Sequence, residues 1–246
     1  MNALPEQLSR IFLLSHMRAF TSLAGHILGS HPQVNGYYEM HLSYEAPSAL
    51  DRQLEAFLEG DALKENSRYL FDKLLHNDYV LKPERLGLTE MKILVSLLEP
   101  ERAIKSIVDL FKRKKSDDLY ASPLEAANYY VARVEALADF SRTAARPYFY
   151  FDAELLQRAP ERLLPKLADR LELDSPLSER YQIFSHTGKS RKGDSSERIY
   201  SGQIDRTPSD YSHIAIPEEA LRRAREAYQE CRREIIGNAA DAVSLD

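Results

Sequence analysis

Residues 11–28 read IFLLSHMRAFTSLAGHIL, and the change of texture inside this stretch decides the fold. Ile11, Phe12, Leu13 and Leu14 form an unbroken apolar run, which suits a strand covered on both faces rather than one with a wet side. Leu23, Ala24, Ile27 and Leu28 then recur at helical spacing. Between the two lie Ser15, His16, Met17, Arg18, Ala19, Phe20, Thr21 and Ser22, a polar turn carrying hydroxyls and one fixed cation at the predicted helix start. A strand that feeds a helix N-terminus aims backbone N–H groups and the positive end of the helix dipole at one point, where an anion is stabilised. A cation at that end opposes the dipole, so Arg18 implies an anion to balance it. The plain alternative is a capped helix with a surface arginine, since Thr21 and Ser22 are ordinary capping types.

The same unit recurs along the chain. Met91–Leu98 (MKILVSLL) reads as a buried strand, Pro100 suits a first helical turn, and Ala103, Ile104, Ile107, Val108 and Phe111 share one helix face. Ser67–Leu75 (SRYLFDKLL) fits a strand or a helix, with a strand ending near Asp72 and Lys73 favoured, and Pro147–Phe151 (PYFYF) reads as another strand. Amphipathic helices are predicted over Ser48–Glu59, with Leu50, Leu54, Phe57 and Leu58 in a stripe, and over Ser122–Arg142, with Leu124, Ala127, Val131, Val134 and Leu137 inward. Shorter helical patterns cover Glu154–Gln157 and Glu161–Leu173, and a closing helix spans Pro217–Ile236. Residues 30–44 turn at Pro32, Asn35 and Gly36 into a strand-like run that would place Glu39 and His41 on one face. Residues 174–216 lack periodicity, the mark of functional loops or disordered segments inside a compact domain. Strands alternating with helices predict one α/β domain over residues 1–246, a three-layer parallel sheet with helices on both faces and its ligand site at the strand carboxyl ends.

Composition narrows the function classes. The chain has 246 residues and a net charge of −5, which argues against a sequence-independent grip on nucleic acid. The basic clusters Lys112–Lys115 and Arg191–Lys192 remain compatible with small anions. A single cysteine, Cys231, precludes an intramolecular disulfide, and no Cys/His spacing predicts a metal site. No apolar run approaches the ~18 residues of a membrane span, and MNALPEQLSR lacks the features of a secretory leader. A soluble, cytoplasmic protein is expected, with its oligomeric state unreadable.

A nucleoside triphosphate is the default anion for such a turn, but neither G-x-x-x-x-G-K-[ST] nor G-x-G-x-x-G occurs. What the turn offers instead is Arg18 followed three and four residues later by Thr21 and Ser22. Here the sequence resembles the sulfotransferases that use 3′-phosphoadenosine 5′-phosphosulfate (PAPS), whose first strand runs into a phosphate-loop-like P-[RK]-S-G-[TS]-[TS] cradle. Met17, Arg18, Ala19, Phe20, Thr21 and Ser22 occupy that cradle, with Phe20 where the family has glycine. His31-Pro32 followed by Glu39 matches the family's H-P pair and base, with Glu39 lying 21 residues beyond Arg18. Lys73 falls at the family's strand-end lysine, without the usual proline after it. Pro100 and Ser106 match the 3′-phosphate motif, but its arginine position is Leu98, leaving Arg102 as a substitute. Arg191, Lys192 and Gly193 resemble the clamp over the same phosphate.

The resemblance implies transfer of a sulfuryl group from PAPS to a hydroxyl of a carbohydrate or small-molecule acceptor, leaving adenosine 3′,5′-bisphosphate and requiring no metal. Glu39 would act as base, with His41 a rival whose neutral imidazole suits the task near pH 7. Arg18, the N–H groups of residues 19–22 and the Thr21 and Ser22 hydroxyls would hold the 5′-phosphate, and Lys73 the transferring group. The rival classes are a non-catalytic nucleotide- or anion-binding protein on the same scaffold and a kinase-like nucleotide enzyme.

Overall fold

The computed structural model describes residues 8–88, 90–114, 117–189 and 197–245. The apolar run becomes β1 (Ser9–Leu14), whose residues from Arg10 onward are all buried. It stands inside a six-stranded sheet that includes β2 (Val34–Asn35), β3 (Tyr69–Leu74), β4 (Met91–Leu97), β5 (Tyr148–Asp152) and β6 (Asp241–Val243). The strand order is β2-β3-β1-β4-β5-β6 and every pairing is parallel. The helices are α1 (Thr21–Ser30), α2 (Ser48–Leu58), α3 (Pro100–Lys114), α4 (Pro123–Thr143), α5 (Leu155–Arg158), α6 (Pro160–Arg170) and α7 (Glu218–Asn238).

Alternating strand residues feed two cores. Phe12, Leu14, Val95 and Tyr150 pack with α2, α3, α4 and α7 on one face. Ile11, Leu13, Leu94 and Phe149 pack with α1, α5 and α6 on the other. This is the predicted three-layer arrangement, and it explains why the strands read as continuous apolar runs rather than as alternations. From β1 the chain first lays β2 and β3 on one side and then β4, β5 and β6 on the other, so the strand order reverses at β1. In a parallel sheet a crevice opens at the carboxyl ends of such strands.

Several local expectations are corrected. Residues 36–43 form no strand, because β2 stops at Asn35 and Gly36 takes a φ of 81°. Leu58 and Leu124, predicted inward, are exposed, and β6 went unpredicted. The closing strand is short and partly exposed, so it lacks the apolar run by which the others were read. Among the described residues no helix is long and apolar enough to cross a membrane.

One buried cation holds the crevice end of the sheet together. Arg133 projects from α4, 5% exposed, and its Nε donates to Ser15 O at 2.8 Å. Its two terminal nitrogens donate to Leu74 O at 2.7 Å and to Asn77 Oδ1 at 2.9 Å. The guanidinium thus bridges the ends of β1 and β3, giving Ser15 O its donor and Leu74 O a second one beside Ser15 N. Arg133→Met should leave Ser15 O without a donor and take one of two from Leu74 O, at a cost of about 2–4 kcal/mol. A fall in Tm of roughly 5–15 °C is expected at this chain length, and a change below about 1 °C in a thermal melt would show that the brace carries no stability.

Candidate active site

The loop leaving β1 reaches α1 by an unusual backbone route. Phe20 is the N-cap of α1 with φ 54° and ψ 19°, and its side chain makes no capping hydrogen bond. Arg18 also has a positive φ, 64°. Left-handed backbone costs an L-residue about 1 kcal/mol or more, and such strain gathers at binding sites. The helix therefore begins at Thr21, earlier than its apolar spacing suggested, and Thr21 and Ser22 sit in the first turn instead of capping it.

Thr21 and Ser22 line a cleft of about 1020 Å³ at the carboxyl end of the sheet. Arg18, Phe20, Glu39, His41, Lys73, Arg102 and Ser106 border the same cleft. Residues drawn from four separate stretches of sequence are thus brought together at the predicted end of the sheet. The Ala19 side chain instead packs in the core, fully buried. Arg191, Lys192 and Gly193 lie outside the described residues.

Specific contacts organise the walls. Arg18 Nε donates to Ser106 Oγ at 3.0 Å, joining the loop to α3 across the cleft. Tyr211 donates its hydroxyl to the same Ser106 oxygen at 3.0 Å. Burial opposes ionisation of Tyr211, but hydrogen bonds with Ser106 and Ser209 and the charge of Arg18 outweigh it, and the phenol is shifted below its ordinary value. Lys73 Nζ donates to Ser22 Oγ at 3.1 Å. Phe20 lines the cleft with the Arg102 guanidinium over its ring, 4.7 Å from the centroid. Arg102 is in turn held by Gln157 Oε1 at 2.5 Å, and desolvation lowers its pKa. Leu98 is buried and supplies no charge.

At the other end of the cleft Glu39 is 8% exposed, and its Oε1 is buried without a hydrogen bond. His41 Nδ1 lies 3.6 Å from that oxygen. The two do face one another, although by a left-handed turn at His41, φ 56°, and not by strand alternation. This segment passes close against α1 because Gly25 and Gly29 present no side chain: a Cβ on Gly25 would stand 2.3 Å from Tyr37 O. Burial lowers the pKa of nearby His76.

Residues that the sequence reading missed support this framework. Asp72 is fully buried, with Oδ1 accepting from Met40 N at 2.9 Å and Lys73 N at 2.7 Å, and Oδ2 from Tyr44 at 2.5 Å. Burial pushes this carboxyl up to about 7 against the opposing effect of those donors. Tyr129 receives Met17 N at 2.8 Å and donates to Leu75 O at 2.7 Å, tying the loop after β1 to the end of β3. Arg133 could have been found as a charge between Tyr130 and Val134 on the apolar face of α4. Asp72 carried a similar signal, a carboxylate inside a strand expected to be buried.

No family model and no curated protein matches the chain by sequence. Solved structures do. The sulfotransferase domain from the curacin biosynthetic pathway superposes with a TM-score of 0.62 at 17% identity, over 92% of this chain and 98% of that one. The sulfotransferase domain of the Synechococcus PCC 7002 olefin synthase gives 0.58 at 16% identity, over 92% and 97% respectively. Mouse sulfotransferase SULT7A1, solved in complex with PAP, gives 0.50 at 13% identity, over 93% and 86%. The chain therefore has the sulfotransferase fold.

His16 supplies a pH test of the loop geometry. It is buried, and its Nε2 accepts from Leu98 N at 3.0 Å while Nδ1 faces Met17 O at 2.8 Å. Only a neutral ring protonated on Nδ1 satisfies both, and burial lowers its pKa to about 4. The folded state thus resists protonation that the unfolded chain accepts near pH 6.5. His16 should support stability fully above pH 6.5 and lose it as pH falls toward 4, by about 3 kcal/mol in total. Melts across this range should show that slope, and His16→Gln should flatten it; an equal slope in both proteins would place the titration elsewhere.

Proposed function

We propose that this chain is a sulfotransferase that takes PAPS as donor and sulfates a hydroxyl of a small-molecule or carbohydrate acceptor. The observation that carries the reading is the convergence of Arg18, Ser22, Lys73, Arg102 and Ser106 on one cleft that also holds Glu39. Cations and hydroxyls at both walls fit a nucleotide bearing two separated anionic groups, and the bound PAP of SULT7A1 supports that choice of ligand. Phe20 does not spoil the fit, since Arg102 holds its ring and its backbone takes the positive φ for which glycine is usually chosen.

The donor supplies an activated sulfuryl group. Arg18 and the amide groups at the start of α1 hold the 5′-phosphate and stabilise negative charge on the leaving oxygen. Lys73, placed beside Ser22, neutralises the sulfuryl and leaving-group oxygens. Ser106, Arg102 and Tyr211 face the 3′-phosphate in place of the arginine that Leu98 replaces. Glu39 takes the proton of the acceptor hydroxyl from the cleft that it lines. His41 at 3.6 Å orients that carboxylate and gives the proton a route onward. Catalysis is then mostly positioning and charge stabilisation.

Adenosine 3′,5′-bisphosphate should raise the Tm, whereas ATP should raise it less; the reverse order would favour the kinase-like reading. Arg18→Ala should weaken bisphosphate binding by roughly 10–100-fold, the scale of a charge-assisted contact to phosphate. Titration calorimetry checks this, and unchanged affinity would move the phosphate site away from the loop. Glu39→Gln should lower kcat about 10²–10⁴-fold with bisphosphate affinity retained. Retained turnover would transfer the base to His41, while binding without any transfer by the unaltered protein would favour a non-catalytic role.

A further inference from the structure

Asp72 and Lys73 are consecutive in β3, so their side chains leave opposite faces of the sheet. Lys73 rises on the α1 face, where Nζ meets Ser22 Oγ of the phosphate loop. Asp72 lies on the other face, against Tyr44, whose ring packs at a tilt on Phe12 with centroids 4.6 Å apart. β2 pairs with β3 only at Tyr69 and Leu70, so beyond Leu70 that edge of β3 has no strand beside it. Leu74 turns its carbonyl to the β1 side, where Ser15 N donates to it, so Lys73 turns its amide to the open edge. A buried strand amide there needs an acceptor. Asp72 Oδ1 provides it and accepts Met40 N at the same time, standing in for a missing rung of the ladder.

We infer that Asp72 is a positioning residue that sets the segment carrying Glu39 against the strand end carrying Lys73. The inference rests on the roles proposed above for Glu39 and Lys73. One dipeptide then fixes both halves of the site: its lysine touches the phosphate loop, and its carboxylate holds the amide next to Glu39. Residues 37–43 have no strand pairing, so Met40 N is their hydrogen-bonded tie to β3 among the described contacts. The bridge from Tyr44 to Leu81 anchors only the far end of the segment. An amide can replace the carboxylate here, because its oxygen accepts both N–H groups and its nitrogen donates to the Tyr44 oxygen. Geometry rather than charge is therefore the requirement.

The test compares Asp72→Ala with Asp72→Asn in the full chain. Hydrogen exchange followed by mass spectrometry reads residues 37–44, calorimetry reads adenosine 3′,5′-bisphosphate, and transfer from PAPS is measured on the acceptors that the unaltered protein uses. Asp72→Ala should speed exchange in 37–44 at least tenfold and lower kcat about 10²-fold, while bisphosphate affinity stays within threefold. Asp72→Asn should restore protection and bring kcat to within about fivefold. Unchanged exchange in Asp72→Ala, an asparagine variant as impaired as the alanine one, or a loss of affinity matching the loss of kcat each overturns the inference. If Asp72→Ala gives no cooperative melt, Asp72→Ser, whose hydroxyl is too short to reach Met40 N, carries the same comparison. An unaltered protein that binds no bisphosphate and transfers to no acceptor defeats the proposed function, while the exchange data still decide whether Asp72 holds the segment.

Discussion

The arrangement depends on how the sheet ends. A strand buried on both faces must surrender its ladder partners where it turns, and the freed carbonyls have no water to meet them. At the carboxyl ends of β1 and β3 the Arg133 guanidinium supplies the donors, with all of its described partners neutral oxygens. Tyr129 and His16 complete the set by holding Met17 and Leu98. The loop after β1 is therefore bolted at its base, although its crest follows a strained path through Arg18 and Phe20.

That strain explains an apparent contradiction in the sequence. A phenylalanine where the related cradles carry glycine looks incompatible with a bound phosphate, since glycine serves both a positive φ and close approach of ligand to backbone. Phe20 meets the first demand directly, at a cost of order 1 kcal/mol. Its ring, half-buried beneath Arg102, becomes part of the cleft wall, and a cation over an aromatic face offsets part of that cost. The same contact fixes Arg102 on the wall of the cleft, which Leu98 also lines.

Much of this was legible in the sequence because burial on both faces writes itself as apolar runs. Ile11–Leu14, Met91–Leu97 and Tyr148–Phe151 needed no other signal, and the cleft residues Arg18, Thr21, Ser22, Glu39, Lys73 and Ser106 stood at recognisable spacings. Two kinds of feature did not show. Residues 36–43 carry strand-like composition, yet Gly36 and the left-handed His41 break the extended path, and local composition does not reveal a backbone held by distant groups. The other kind is the buried polar brace: Arg133, Asp72 and Tyr129 satisfy backbone atoms 32 to 118 positions away in the chain. Periodicity records only that such residues fall on an apolar face, not what they bond there.

Those braces bear on how a site of this kind keeps its shape. Apolar side chains of similar size would spare the desolvation of a buried arginine and a buried carboxylate, but they would leave Ser15 O, Met40 N and Lys73 N without the partners they have here. Apolar packing is also tolerant of small displacements, whereas a hydrogen bond weakens steeply with angle and distance. Glu39 and Lys73, which reach one cleft from separate segments, are therefore better registered by directional bonds than by packing. Asp72 and Arg133 sit where that registration is required, one at the open edge of β3 and the other across the ends of β1 and β3. The stability they forgo through burial is balanced against the geometry they impose at the mouth of the cleft.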